Sequence, residues 1–264
     1  MKVGFIGCGN MASAMLGGII QKGVVAKEDL MASARTEKTR KKIKEEFQIA
    51  AIEDNKELAA KSDIIVLAIK PVYMVEVIEE IAECVTEEKI IVTLAPGKTL
   101  EWLDVTFGKP TKLIRTMPNT PALVGEGMTA LCPNELVSDR EMQVVEEIFQ
   151  SFGKTQVVSE PMIDVVVGVS GSSPAYVFLF IEAMADAAVA DGMMRAQAYE
   201  FAAQAVLGSA KMVLETGMHP GALKDMVCSP GGTTIEAVRV LEEKGMRSSV
   251  FEASKAAVKK ARGL

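Results

Sequence analysis

The stretch that most constrains this chain is its opening, "VGFIGCGNMA", Val3 to Ala12. "KVGFIG" reads as a short buried strand. "NMASAMLGGIIQKG" then places small and apolar residues at helical spacing, with Gly23 past the end. Between them Gly7, Gly9 and Ala12 form a GxGxxA pattern. In a strand–turn–helix context the first glycine permits the tight turn, the second lets a pyrophosphate approach the backbone, and Ala12 lets the helix pack on the strand. The helix N-terminus adds free N–H groups and a positive dipole end. An ordinary glycine-rich turn is the bland alternative; the context favours a dinucleotide site.

Such sites built for NAD carry Asp or Glu about 20 residues on, at the end of the second strand. Here the second strand, "LMASA", runs into "SARTEK", which offers Ser33, Arg35 and Thr36, with Glu37 one step late. A carboxylate repels a 2′-phosphate, whereas guanidinium and hydroxyl groups bind it. The expected cofactor is NADPH, with NADH possible. The competing reading is that Arg35 merely faces solvent.

The continuous apolar strand "DIIVLAIK" and the strands "KIIVTLA" and "TKLIRTM" alternate with helical patterns up to about residue 158. That rhythm implies an α/β fold with a parallel, doubly wound sheet. From Ile163 the pattern is helical nearly throughout. The expected division is 1–158 for a cofactor domain and 159–264 for an all-helical domain. A helical unit so rich in Ala, Val and Met would expose too much apolar surface alone, which predicts a partner subunit. In its longest run, "SSPAYVFLFIEAMADAAVADGM", Ser172 or Ser173 is placed to cap and Pro174 suits the first turn. Glu182 and Asp186, one turn apart, argue against a membrane span and read as one polar stripe rather than paired catalytic carboxylates. The uncharged run Val3–Ile20 has the length of a signal or span, but its five glycines, Asn10 and Ser13 speak against either.

Net charge is −6 over 264 residues, with no basic block, which disfavours a nucleic-acid partner. Cys8, Cys84, Cys132 and Cys228 are scattered without CxxC spacing, as in a reduced, cytoplasmic protein, and no metal site is expected. The single histidine, His219, sits in a His-Pro-Gly turn and reads as structural rather than as an acid–base group.

Three loops remain. "RTMPNTPALVGEG" follows a strand end, is stiffened by two prolines and offers hydrogen bonds from Asn119 and Thr120, with Asn119 expected among the cofactor-binding residues. In "AIKP", Ala68 to Pro71, Lys70 reads either as a group at the nicotinamide end or as a plain exposed lysine. In "CSPGGTTIEAV", Gly231 and Gly232 free backbone N–H groups in front of a helix, where a small carboxylate binds well. Thr234 would add one hydroxyl beside it. A helix cap made by Ser229 or the threonines is the alternative.

Taken together, "GFIGCGNMA", "DNKE", "AIKP", "MPNTPA" and "SPGGTTIEAV" resemble the pyrroline-5-carboxylate reductase family along the full length. The resemblance implies an N-terminal Rossmann-like domain and a helical dimerisation domain forming a homodimer, with dimers often joining into larger assemblies. It implies reduction of 1-pyrroline-5-carboxylate to L-proline by NAD(P)H, the last step of proline biosynthesis, in the cytoplasm. It further implies that Gly9, Asn10 and Met11 meet the pyrophosphate and that Ser33, Arg35 and Asn55 surround the adenosine ribose. Ala68, Lys70 and Pro71 would lie near the nicotinamide, and Ser229, Gly232, Thr233 and Thr234 would form the substrate loop, with Thr234 facing the imine nitrogen. Two positions depart from the family pattern: Ser173 stands for a glycine in "GSSPAY", and Pro96 for an alanine in "APG". Another cyclic-imine or keto-acid reductase, or a non-enzymatic NADP-binding regulator, would be built on the same scaffold.

Overall fold

The computed structural model describes residues 1–263. Short strands whose residues are all buried start the chain: β1 (Val3–Ile6), β2 (Leu30–Ser33), β4 (Ile64–Leu67) and β5 (Ile90–Thr93). Helices α1 (Asn10–Lys22), α2 (Glu37–Phe47), α3 (Asn55–Lys61), α4 (Met74–Ile81) and α5 (Leu100–Phe107) alternate with them, and β3 (Ala50–Ile52) and β6 (Lys112–Met117) extend the series. The chain then adds β7 (Gly127–Pro133), α6 (Asp139–Gln150), β8 (Gly153–Val157) and α7 (Glu160–Val166).

The eight strands form one sheet in the order β3-β2-β1-β4-β5-β6-β7-β8. All neighbours are parallel except β6 and β7. The period of two sends alternate residues to opposite faces. Phe5, Val66 and Val92 enter one core layer with Leu16, Ile19 and Phe149, while Ile6, Ile65 and Ile91 enter the other with Leu58, Ile78 and Leu103. Each such fully buried side chain contributes about 1.5–3 kcal/mol, so a truncation such as Ile65→Ala costs about 2–5 kcal/mol. Strand order reverses between β1 and β4, and the loops at their carboxyl ends part there to open a crevice.

Helix α1 ends as expected: Gly23, at φ 66°, donates to the carbonyls of Ile19 and Ile20. The uncharged run Val3–Ile20 is this strand and helix, with Phe5, Met15 and Ile19 fully buried.

The chain divides into two compact units, Met1–Gly171 with the C-terminal residues from Ala257, and Ser172–Ala256. Residues 159–171, expected with the helical half, pack on the sheet. Arg115 of β6, only 4% exposed, pairs with Glu160 at 3.0 Å and Asp164 at 3.5 Å on α7, and Ile163 packs with Ala130 and Cys132.

The second unit contains α8 (Ser173–Ala190), α9 (Arg195–Thr216), α10 (Pro220–Val227), α11 (Thr233–Glu243) and most of α12 (Met246–Ala261). Ser172 stands at the cap of α8, but its side chain makes no cap hydrogen bond. Phe178, Leu179 and Phe201 are 64%, 67% and 68% exposed. By length and composition alone the helical stretch Glu160–Ala190 could cross a membrane: an 18-residue window of it has a mean hydropathy of 1.5, and 11% of that window is buried. Asp186 does not act with Glu182: it pairs with Arg195 at the start of α9. His219 caps α10 by accepting from the Gly221 N–H at 3.0 Å, the structural role expected of it.

Candidate functional site

The crevice at the strand reversal is a cleft of about 610 Å³. Among the residues singled out for a cofactor, Gly7, Gly9, Ser33, Arg35, Asn55, Ala68 and Lys70 all line it. Its walls are tied together at the carboxyl ends of three strands, with Gly7 N–H donating to Ser33 O at 3.0 Å and Ala68 N–H to Ile6 O at 2.9 Å. Gly7 has φ +92°, and a Cβ there would come within 2.6 Å of the Ala68 carbonyl, so only glycine suits this turn. Gly9 caps α1 without a side chain, and a Cβ there would meet no atom within 4 Å. That empty space lies in front of a helix whose first turn carries no acidic residue. Open N–H groups, a clear approach and a basic rim fit a pyrophosphate. Ala12 is buried in the helix–sheet contact. Asn10 and Met11 occupy the first turn of α1, and Pro71 opens a short 3₁₀ turn, Pro71–Tyr73; these three are not part of the cleft lining.

Beyond the end of β2, Arg35 lies over the ring of Tyr73, 4.5 Å from its centroid, and faces Glu76 at 3.8 Å. Glu37 is not at the cleft and pairs with Lys41 on its own helix. The Ser33 hydroxyl donates to Asn55 Oδ1 at 2.6 Å, and Asn55 Nδ2 donates to Glu80 Oε2 at 2.8 Å. Tyr73 and Glu80 were not legible as site residues. Tyr73 follows "AIKPV" by one position, but nothing in the sequence ties it to Arg35. Glu80 belongs to an acidic helix, where it looks like any solvated glutamate. Cys8 also lines the cleft; burial raises its thiol pKa, with a hydrogen bond from Ser13 opposing.

Asn119 is placed differently from the expectation. Its Oδ1 accepts from Met128 N–H at 2.9 Å and its Nδ2 donates to Ser170 O at 3.1 Å, so both ends of the amide are engaged within the protein. It clasps the loop after β6 to a π-helical turn, Val167–Gly171, between α7 and α8. Gly171 lets that turn approach Met117, where a Cβ would come within 2.7 Å of its methyl group.

In the helical unit, Gly231 has φ +67° and Gly232 caps α11 in extended conformation. A Cβ on Gly232 would fall 2.3 Å from Ser229 Oγ and 3.2 Å from the Ser229 carbonyl oxygen, so a larger residue there would have to displace the serine side chain. The cap residue has no side chain, and no side-chain cap hydrogen bond reaches the first-turn N–H groups of α11. Thr234 is half-buried and Thr233 exposed. Among the described residues no cluster of His, Cys, Asp and Glu could hold a metal, and all four cysteines are free.

Comparison with known proteins matches this geometry. The family model "Pyrroline-5-carboxylate reductase dimerisation" matches residues 160–264, and "NADP oxidoreductase coenzyme F420-dependent" matches residues 2–97. The pyrroline-5-carboxylate reductase of Escherichia coli (strain K12) is 57% identical over 252 residues, 96% of this chain and 94% of that one. The chain belongs to the pyrroline-5-carboxylate reductase family. The Arabidopsis thaliana pyrroline-5-carboxylate reductase is 38% identical and covers 100% of the chain and 95% of its own length. Among solved structures, the pyrroline-5-carboxylate reductase of Coxiella burnetii superposes with a TM-score of 0.93 at 35% identity, covering 99% and 97% of the two chains. The Plasmodium falciparum pyrroline carboxylate reductase, solved with NADP bound, gives 0.90 at 33%, covering 100% and 97%. Prephenate dehydrogenase from Aquifex aeolicus, at 13% identity and a TM-score of 0.55, shares the fold alone. The Rossmann-like sheet and helical second half implied by the sequence resemblance are thus both present.

Proposed function

We propose that this chain is an NADPH-dependent reductase that converts 1-pyrroline-5-carboxylate to L-proline in the cytoplasm, as a homodimer or a larger homo-oligomer. The observation that carries the reading is the pairing, in one chain of this family, of the glycine-lined cleft with its Arg35 rim and the uncapped Gly231–Gly232 loop. Residues 1–158 would hold the cofactor and residues 159–264 the substrate and the partner subunit; the dimerisation family model over residues 160–264 supports the second assignment.

The site residues divide the work. Gly9 gives the pyrophosphate its approach, with the first-turn N–H groups of α1, Asn10 and Met11 among them, as donors. Arg35 supplies charge for the 2′-phosphate, and Ser33 and Asn55 surround the ribose. Ala68, Lys70 and Pro71 border the nicotinamide end. Bound there, the cofactor supplies the hydride that the imine carbon accepts. Ser229, Gly231, Gly232 and Thr233 hold the substrate carboxylate, chiefly through backbone N–H groups at the start of α11. Thr234 hydrogen-bonds the nitrogen of the imine, which carries its proton before the hydride arrives, and orients it so that hydride addition at the carbon yields the neutral amine. A protonated imine is already a good electrophile, so these residues act by positioning and by excluding water.

The test is NADPH oxidation by the purified chain with and without pyrroline-5-carboxylate, beside a panel of larger cyclic imines and 2-oxo acids. Turnover confined to pyrroline-5-carboxylate is the expected result. Preference for another imine or for an oxo acid, or tight NADPH binding without turnover of any of them, overturns the assignment.

A further inference from the structure

One residue outside the loops assigned a role sets the hydrogen-bond polarity of the cofactor cleft from behind. Glu80, half-buried on α4, accepts from Asn55 Nδ2 at 2.8 Å. An ionised carboxylate can only accept, so the NH₂ of Asn55 must face Glu80 and its Oδ1 must face Ser33. That amide oxygen also only accepts. The hydrogen in the 2.6 Å contact between Ser33 and Asn55 is therefore the hydroxyl hydrogen of Ser33. Ser33 is 1% exposed and held in β2 by pairing with Ile6 and Ile52. With its proton committed, what its hydroxyl keeps for a ligand in the cleft is lone pairs.

Two nicotinamide cofactors ask opposite things of that position. A ribose 2′-hydroxyl can donate to a lone pair. A 2′-phosphate near neutral pH is mostly dianionic and needs donors. To serve the phosphate, Ser33 must withdraw its proton from Asn55 and leave that amide oxygen without a partner, which is unfavourable in a half-buried place.

We propose that Glu80 is a positioning residue that, acting through Asn55 and Ser33, sustains NADH binding and tempers the preference for NADPH set by Arg35. The proposal rests on the cofactor reading of the cleft given above.

The test is direct binding, without substrate, of NADPH and NADH to the full chain, followed by nucleotide fluorescence. In Glu80→Gln the new amide can donate to Asn55 Oδ1, letting Asn55 turn over and freeing the Ser33 proton for the phosphate. The expected result is a shift of the affinity ratio toward NADPH by about five- to tenfold. Glu79→Gln removes the same charge one residue away, on an exposed position, and is expected to move the ratio by less than about twofold. In a Ser33→Ala background Glu80→Gln is expected to move the ratio no further. Glu80→Ala, which removes the acceptor without adding a donor, should shift it in the same direction; thermal melts establish that each variant is folded, and Glu80→Ala carries the test if Glu80→Gln is not. An unchanged ratio, equal shifts for Glu79→Gln and Glu80→Gln, or a shift that survives Ser33→Ala overturns the proposal. Failure of the wild-type chain to bind either nucleotide overturns the cofactor reading as well, whereas binding with an unmoved ratio overturns the relay alone.

Discussion

The guanidinium carbon of Arg35 lies 4.5 Å from the centre of the Tyr73 ring, so the one cation at the end of β2 that lines the cleft sits over an aromatic face. One guanidinium nitrogen faces Glu76 at 3.8 Å, and contact through the ring face leaves the other N–H donors to meet a phosphate. A charge-assisted hydrogen bond contributes about 1.5–3 kcal/mol, so Arg35→Ala is expected to weaken NADPH at least about tenfold. NADH should be affected far less. Equal losses for both cofactors, measured by fluorescence titration, would contradict the 2′-phosphate assignment.

Gly9 separates a functional glycine from a structural one. A methyl group there meets nothing within 4 Å, and the residue does not have positive φ. Gly9→Ala should therefore melt within a degree or two of the parent, since surface changes of this kind lie within about ±0.5 kcal/mol. Nucleotide affinity should nonetheless fall at least about tenfold, because the methyl occupies the pyrophosphate's approach. A variant that binds NADPH normally would remove the pyrophosphate from this turn.

Thr234 and Thr233 distinguish catalysis from capping. Removing a hydrogen bond that strengthens in the transition state costs about 2–3 kcal/mol, or roughly 30- to 150-fold in rate. Thr234→Ala should lower kcat by that amount and disturb binding of a proline analogue much less. Thr234→Ser should retain most activity, and Thr233→Ala should be mild. If the two alanine variants instead share a small drop in Tm with unchanged kcat, the hydroxyls are only helix caps.

Glu141 provides a pH signature of the sheet-bearing unit. Partial burial acts to raise its pKa, but Lys112 at 2.6 Å and the N–H and hydroxyl of Ser138 outweigh that and hold it at about 2, against an ordinary 4.5. A depressed carboxyl pKa contributes stability that is complete above about pH 5 and is lost as pH falls toward 2. Glu141→Gln should be less stable at pH 7, by on the order of 1–3 kcal/mol, and the two melting curves should converge near pH 2. A difference that stays constant down to pH 2 would assign the effect to the capping geometry rather than to charge.

Much of this was readable in the chain and some was not, for physical reasons. The strands β1, β2, β4 and β5 announce themselves because burial on both faces makes them almost wholly apolar, and β6 is recognised by its place in the alternation. Three residues with exposed neighbours, as in β3, or a polar edge sequence such as the "GKTQV" of β8, carry no such period. β7 follows the glycine-containing loop and runs antiparallel, which the alternating βα rhythm does not suggest. At the cleft, Gly7, Gly9 and Arg35 could be picked out because backbone geometry and charge confine those positions to few residue types, and all three line it. Asn119 was picked out but engages backbone groups of Met128 and Ser170, a pairing of distant segments that no local pattern encodes. Glu80 escaped for the same reason: what distinguishes it from Glu79 is a partner 25 positions earlier in the chain.

The apolar flank of α8, with Phe178 and Leu179 turned outward, makes the endurance of this chain a collective property. A surface that needs a second copy to cover it ties folding to mass action, so the melting temperature should climb with protomer concentration and sag on dilution. It also means that chains are not independent of their neighbours. When two versions of the sequence are made side by side, mixed assemblies form, and a copy too weak to stand by itself is sheltered by a sound one or drags it down.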